Sequence, residues 1–194
     1  MSILTYPLLL AQCVELCLGD LIFTIAGDNP MSQAVVQATA HTDSLQFSHV
    51  GIIDVDSLGA VWVIEATSDA GVVATPIDTF MRRSPAGAVV KRLTISYPAD
   101  SAVARARACI GMPYDWWYLA DNDALYCSEL VEKCYLRADG SPIFETIPMS
   151  FRDASGAIPQ FWTDLFNHLG RPIPEGEPGT NPTQLSRSPY LAPK

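Results

Sequence analysis

A cysteine at the head of an amphipathic helix, preceded by two strand-like runs that carry a histidine and a glutamate, constrains this chain more than any other feature. Cys127 is followed by polar Ser128 and Glu129, and apolar residues then recur at Leu130, Val131 and Cys134, the spacing of one helical face. A thiol in the first turn of a helix meets the positive end of the backbone dipole, which favours the thiolate. His49 opens the run His-Val-Gly-Ile-Ile-Asp-Val, which reads as a strand and would aim the imidazole rigidly, as a general base requires. Glu65 closes the next apolar run, residues 60–66, across a turn at Ser57-Leu58-Gly59. Such a hairpin would set Glu65 beside His49, giving nucleophile, base and orienter. Taken singly, each has a plainer reading: a small buried hydrophobe for Cys127, a structural ring for His49, a surface carboxylate for Glu65.

The remaining pattern predicts an α+β fold. A β-rich run spans residues 21–25, and Asn29-Pro30 supplies an N-cap and a first-turn proline for a helix to about Thr39. Further strands are expected at 72–75 and 88–93, with a short helical piece between them near 77–81. A helix from Ser101–Ala102 to Ile110 is closed by Gly111, and the cysteine helix is expected to run to about Leu136. From Ser141 onward prolines recur, interrupted by an amphipathic stretch at 160–169. Residues 171–194 read as an extended strap laid on the body through Leu185, Tyr190 and Leu191. The expectation is one domain over residues 1–194, with 141–194 a proline-rich extension packed on it; 194 residues suffice for one core.

Charge and cysteine usage narrow the function. The net charge is -9, and no lysine or arginine precedes Arg82. A phosphate backbone needs the opposite sign, so nucleic-acid binding is not expected. Asp43, Asp54 and Asp56 flank the histidine strand. They suggest either an amine-bearing substrate or merely a solvated acidic surface. Five cysteines and three histidines show no metal-ligand spacing, so no metal and no other cofactor is expected. The N-terminus lacks the basic flank and cleavage site of an export signal, and no window reaches transmembrane length, so a cytoplasmic location is expected.

Five segments in order carry a resemblance: Gly19-Asp20-Leu21-Ile22-Phe23, Phe47-Ser48-His49-Val50-Gly51-Ile52, Val63-Ile64-Glu65-Ala66, Gly111-Met112-Pro113-Tyr114-Asp115 and Tyr126-Cys127-Ser128-Glu129-Leu130-Val131. Together they resemble the permuted papain-like amidases of the YiiX/YaeF/YebB type, within the NlpC/P60 superfamily, in which the histidine strand precedes the cysteine helix. The resemblance implies a circularly permuted papain-like fold, an antiparallel sheet or half-barrel packed with helices. It also implies a cysteine amidase or peptidase with Cys127 as nucleophile, His49 as base and Glu65 as third polar residue. Tyr114, Tyr126 and Ser48 are the candidate substrate-contacting residues, a packed aromatic being the alternative for Tyr114. A small amide, such as a cell-wall-type peptide, is the implied substrate. Lipid acyl transfer of the lecithin:retinol acyltransferase type and a non-catalytic binding module are the competing readings. Oligomeric state is not legible here.

Overall fold

The apolar runs of the first half pair with one another. The computed structural model describes residues 15–39, 46–120 and 122–194. Its elements in chain order are β1 (Leu21–Ile25), α1 (Pro30–Thr39), β2 (Phe47–Val55), β3 (Val61–Thr67), β4 (Gly71–Pro76), α2 (Ile77–Arg82), β5 (Ala88–Leu93), α3 (Ala99–Ala108) and α4 (Cys127–Cys134). They continue with β6 (Ile147–Pro148), α5 (Gln160–Leu169), β7 (Pro178–Gly179), α6 (Pro182–Ser186) and β8 (Leu191–Pro193). Six strands form one antiparallel sheet in the order β4-β3-β2-β1-β5-β8, while β6 and β7 pair separately. This is the α+β architecture that the sequence pattern predicts.

The central strand β2 is covered on both faces, which is why its sequence is a nearly continuous apolar run rather than an alternating one. Ile52 stands opposite Leu21 and Ile64 in register, and packs with Leu130 and Val131 of α4. Ile53 turns to the other face, where Ile22, Val63 and the α2 residue Phe80 enclose it. Fully burying a side chain such as Leu130 is worth roughly 2 kcal/mol, so α4 is anchored to the sheet by the residues just after its cysteine. A third cluster joins Tyr118, Tyr126, Met149, Phe151, Trp162 and Phe166 to Ala34 of α1.

Two helices differ in extent from expectation. Helix α3 starts at Ala99, immediately after Pro98, and ends before Cys109, because Gly111 already adopts a left-handed φ of 96°. Helix α4 stops at Cys134, two residues early. The next side chain, Tyr135, is drawn fully into the core, where its hydroxyl donates to the Gly19 carbonyl at 2.9 Å.

The C-terminal segment is more structured than an extended strap. Asn181 caps α6 by accepting from Gln184 N at 2.8 Å, with Pro182 in the first turn. Thr183 then clamps the start of β2: its hydroxyl accepts from Phe47 N and lies 3.2 Å from Phe47 O. Further on, β8 extends the sheet, with Leu191 opposite Leu93. Among the described cysteines, Cys134 is buried and Cys109 is half-buried at the edge of the core. A hydrogen bond from Cys134 brings the Cys109 thiol down to about 7. Cys13 and His41 lie outside the described residues. No helix among the described residues is long and apolar enough to cross a membrane.

Candidate active site

Cys127 is the first residue of α4, and Tyr126 before it has extended backbone. Glu129 fixes that junction by accepting from Tyr126 N at 3.4 Å, and the helical ladder starts with Leu130 N donating to Tyr126 O at 3.0 Å. The preceding Met-Pro-Tyr segment is held just as firmly. Gly71 has φ 69°, and a Cβ there would lie 2.2 Å from Met112 O, so only glycine lets the β3–β4 turn approach. Val72 N then donates to Met112 O at 2.9 Å, and Leu125 N to Pro113 O at 3.0 Å. Tyr114 is thereby stationed beside the cysteine helix.

His49 and Glu65 reach the same place from adjacent strands. His49 Nε2 lies 2.7 Å from Glu65 Oε2, which leaves Nδ1 as the other ring nitrogen, and Cys127 is near enough to act electrostatically on the imidazole. Burial opposes a charge on the ring, but the bonds to Cys127 and Glu65 outweigh it and raise His49 from 6.5 to about 10. The arrangement therefore favours an imidazolium. Glu65 is 1% exposed, not a surface carboxylate at a strand end. Burial alone would raise its pKa; hydrogen bonding to His49, with help from Thr75 and Arg83, lowers it instead. Its second oxygen accepts from Arg83 Nη2, just past the end of α2.

These groups line one cavity of about 280 Å³. Ser48, Tyr114 and Tyr126 line it too, so every candidate from the sequence comes together here. Tyr126, however, is not free to bind a substrate through its hydroxyl. That oxygen accepts from Thr180 N at 3.1 Å and donates to Met149 Sδ at 3.8 Å, tying the C-terminal segment to the start of α4. Gly179 makes this approach possible, since a Cβ would fall 2.7 Å from the Tyr126 oxygen. The Tyr114 hydroxyl sits 3.4 Å from that of Tyr118, and burial holds both well above the usual tyrosine range, so they are neutral donors. Tyr118 has a left-handed φ of 54°, a strained conformation for a bulky residue.

Sequence reasoning missed Arg83, the wall contributed by Thr180, Asn181 and Pro182, and the apolar wall of Val35, Met149, Phe151 and Trp162. Trp162 falls in the amphipathic stretch at 160–169 and packs on its apolar face; its place in the cavity follows from α5 lying against α1. Trp117 lies away from the cavity, half-exposed under the Arg171 guanidinium 3.8 Å from its ring centre.

The amine-bearing substrate is not supported by the charge placement. Asp54 is held by Arg107, whose Nε donates to Oδ2 at 2.8 Å, and Asp56 caps the β2–β3 turn through Leu58 N and Ala60 N. Asp43 lies outside the described residues. Among the described residues Glu65 is the one carboxylate lining the cavity, and both its oxygens are engaged. No group of three or more His, Cys, Asp or Glu side chains among the described residues converges as a metal site would require.

The family described as permuted papain-like amidase enzyme, YaeF/YiiX, C92 family, matches residues 15–192. The chain is similar to the uncharacterized protein YiiX of Escherichia coli strain K12, 31% identical over 177 residues, which span 89% of this chain and 83% of that protein. It is also similar to the crystal structure of metalloprotein YiiX from Escherichia coli O157:H7, with a TM-score of 0.73 and 27% identity over 91% of this chain and 94% of that one.

Proposed function

Because the chain belongs to the permuted papain-like amidase family, a family of cysteine hydrolases, we propose that it cleaves an amide through Cys127, His49 and Glu65 by way of an acyl-enzyme. The observation that carries this reading is the convergence, on one cavity, of a Glu65–His49 hydrogen bond and a cysteine at a helix start that acts on the same imidazole. The Cys127 thiolate attacks the amide carbon, and the oxyanion is taken up by the N–H of Cys127 and by the Tyr114 hydroxyl. One such donor lowers the barrier by roughly 3 kcal/mol. As the C–N bond breaks, the His49 imidazolium gives its proton to the leaving amine. His49 then removes a proton from water, whose oxygen attacks the thioester, and the Cys127 thiolate departs from the freed acid, recovering the imidazolium pair. Glu65 keeps the ring oriented and its charge balanced without taking the proton itself.

The apolar wall of Val35, Met149, Phe151 and Trp162 suits an apolar group on the substrate, and acyl transfer to or from a lipid is the second reading that it favours. A panel of N-acyl amides, cell-wall peptides, thioesters and lipid esters separates the two. Mass spectrometry of the intact protein should detect an acyl adduct on Cys127 with an amide substrate, absent in Cys127→Ala. Adducts from lipid esters alone, passed on to an acceptor rather than to water, would replace hydrolysis with transfer.

A further inference from the structure

Glu65 is a buried carboxylate with two cationic partners, and the second of them has no role in the chemistry described so far. His49 Nε2 takes one oxygen and Arg83 Nη2 the other. Arg83 also lies 3.5 Å from Thr75 Oγ1 on β4 and places its guanidinium 6.0 Å from the centre of the Phe80 ring. Phe80 in turn sits beside His49, ring centres 6.1 Å apart. One residue past α2, Arg83 thus braces both the carboxylate and the aromatic surface next to the imidazole. Among the described residues it is the one arginine or lysine lining the cavity.

Charge balance makes that position consequential. A working thiolate–imidazolium pair contributes one negative and one positive charge, and Glu65 adds a negative one. The cluster would carry a net charge of minus one around a carboxylate that is only 1% exposed, an arrangement that its burial opposes even though the His49 ring is 24% and the Arg83 side chain 48% exposed. Arg83 brings the sum to zero. The groups facing Glu65 are His49 from β2, Thr75 from β4 and Arg83 from the end of α2, with Cys127 of α4 reached through His49. Of the polar partners, Arg83 is the one that never gives up its charge.

We propose that Arg83 is a positioning residue of the active site, holding Glu65 ionised and oriented so that the Cys127–His49 ion pair forms at the acid side of neutrality. It acts through Glu65 and touches neither the nucleophile nor the scissile bond. The inference rests on the assignment of Cys127 and His49 as nucleophile and base.

The test uses the reactivity of Cys127 itself, so it needs no substrate. Iodoacetamide labelling is followed against pH and read peptide by peptide, because Cys109 is also a candidate thiol. Wild type is compared with Arg83→Met, Arg83→Lys, Glu65→Gln, the double variant Arg83→Met/Glu65→Gln, and His49→Ala. In Arg83→Met the acid limb of Cys127 labelling should move up by about one pH unit, with about tenfold slower labelling below the limb and little change well above it. Arg83→Lys should restore most of the wild-type limb, since it returns the charge without the fork. In the Glu65→Gln background, Arg83→Met should cause no further shift. A uniform loss at all pH values in Arg83→Met, or a full additional shift in the double variant, would overturn the proposal. Should Arg83→Met fail to fold, as read by circular dichroism, Arg83→Gln in the presence and absence of Glu65→Gln carries the same comparison, since it removes the charge while keeping a polar side chain. If His49→Ala labels like wild type at every pH, the assignment of the pair fails, and Arg83 with it. If His49→Ala is slow while Arg83→Met matches wild type, only the role of Arg83 fails.

Discussion

Two carboxylates in this sheet are equally buried and equally gripped by an arginine, yet only one belongs to the site. Asp20, at the head of β1, is 1% exposed; Arg92 reaches it with Nε at 2.6 Å and Nη2 at 2.7 Å, and Cys17 N donates to it at 2.9 Å. Every partner is a fixed donor, and together they staple the Gly-Asp turn to β5. Glu65 has the same 1% exposure, but exchanges one fixed donor for an imidazole that can gain or lose a proton in a cavity. The lesson is that burial and an arginine do not mark a functional carboxylate. What distinguishes Glu65 is a titratable partner that shares one cavity with the cysteine proposed as nucleophile.

The sharpest way to break that contrast is to remove the groups beyond Glu65. Cys127→Ala and His49→Ala should each lower turnover by about 10⁴-fold or more, because each acts in the same chemical unit, and Cys127→Ala should do so with a thermal melt near wild type. A variant of either that kept a tenth of the activity would return Glu65 to the same class as Asp20.

The converse test is Asp20→Asn. It leaves Arg92 facing a neutral amide in a buried position, and should cost about 3 kcal/mol of stability, or roughly 9 °C in melting temperature. Activity per folded molecule should stay within about twofold, because Asp20 touches no group of the cavity. A large loss of turnover with an unchanged melt would place Asp20 in the site after all.

Glu65→Gln probes the other carboxylate by the same chemistry. The amide still accepts a hydrogen bond from His49 but no longer offsets the imidazolium charge. With about 2 kcal/mol of charge-assisted bonding lost, activity should fall about 30-fold, well short of Cys127→Ala. Abolition as complete as in Cys127→Ala, in a folded protein, would give Glu65 a direct part in proton transfer.

Sequence pattern alone revealed one half of this comparison. His49 and Glu65 sit on runs whose strand character is plain, joined by a short turn, so their meeting follows from hairpin register. Cys127 stands where polar residues give way to a helical apolar face. Asp20 was legible as a turn residue because Gly-Asp precedes an apolar run. What stayed hidden depends on direction and on distant contacts. Arg82 and Arg83 are indistinguishable as sequence, yet Arg82 turns outward to Thr79 Oγ1 at 2.7 Å while Arg83 turns inward to Glu65. Tyr126 looked like a substrate contact from its place beside the nucleophile. Its hydroxyl is spent on Thr180, 54 residues further along the chain, a pairing that no local pattern encodes. The acidic residues near β2 leave an amine-bearing substrate and a solvated acidic surface both open in the sequence; the structure gives Asp54 to Arg107 and Asp56 to a turn.

The smallest expected effect is the pH dependence of stability at the Glu65 end of the comparison. His49 is raised from 6.5 to about 10 in the folded protein, so the stability it contributes is complete below about pH 6.5 and is lost as pH rises through about 10. Glu65 is lowered from 4.5, so its contribution is present above about pH 4.5 and is lost as pH falls through the depressed value. Both are in full force only between about pH 4.5 and 6.5. The melting temperature of wild type should therefore exceed that of His49→Ala most near pH 6, and the gap should shrink on going to pH 10. Differential scanning calorimetry of the two proteins across that range measures it directly, with other titrating groups common to both. A gap that stays constant would mean that the ring is neutral throughout. The Glu65–His49 contact would then be a fixed hydrogen bond, no different in kind from the clamp on Asp20.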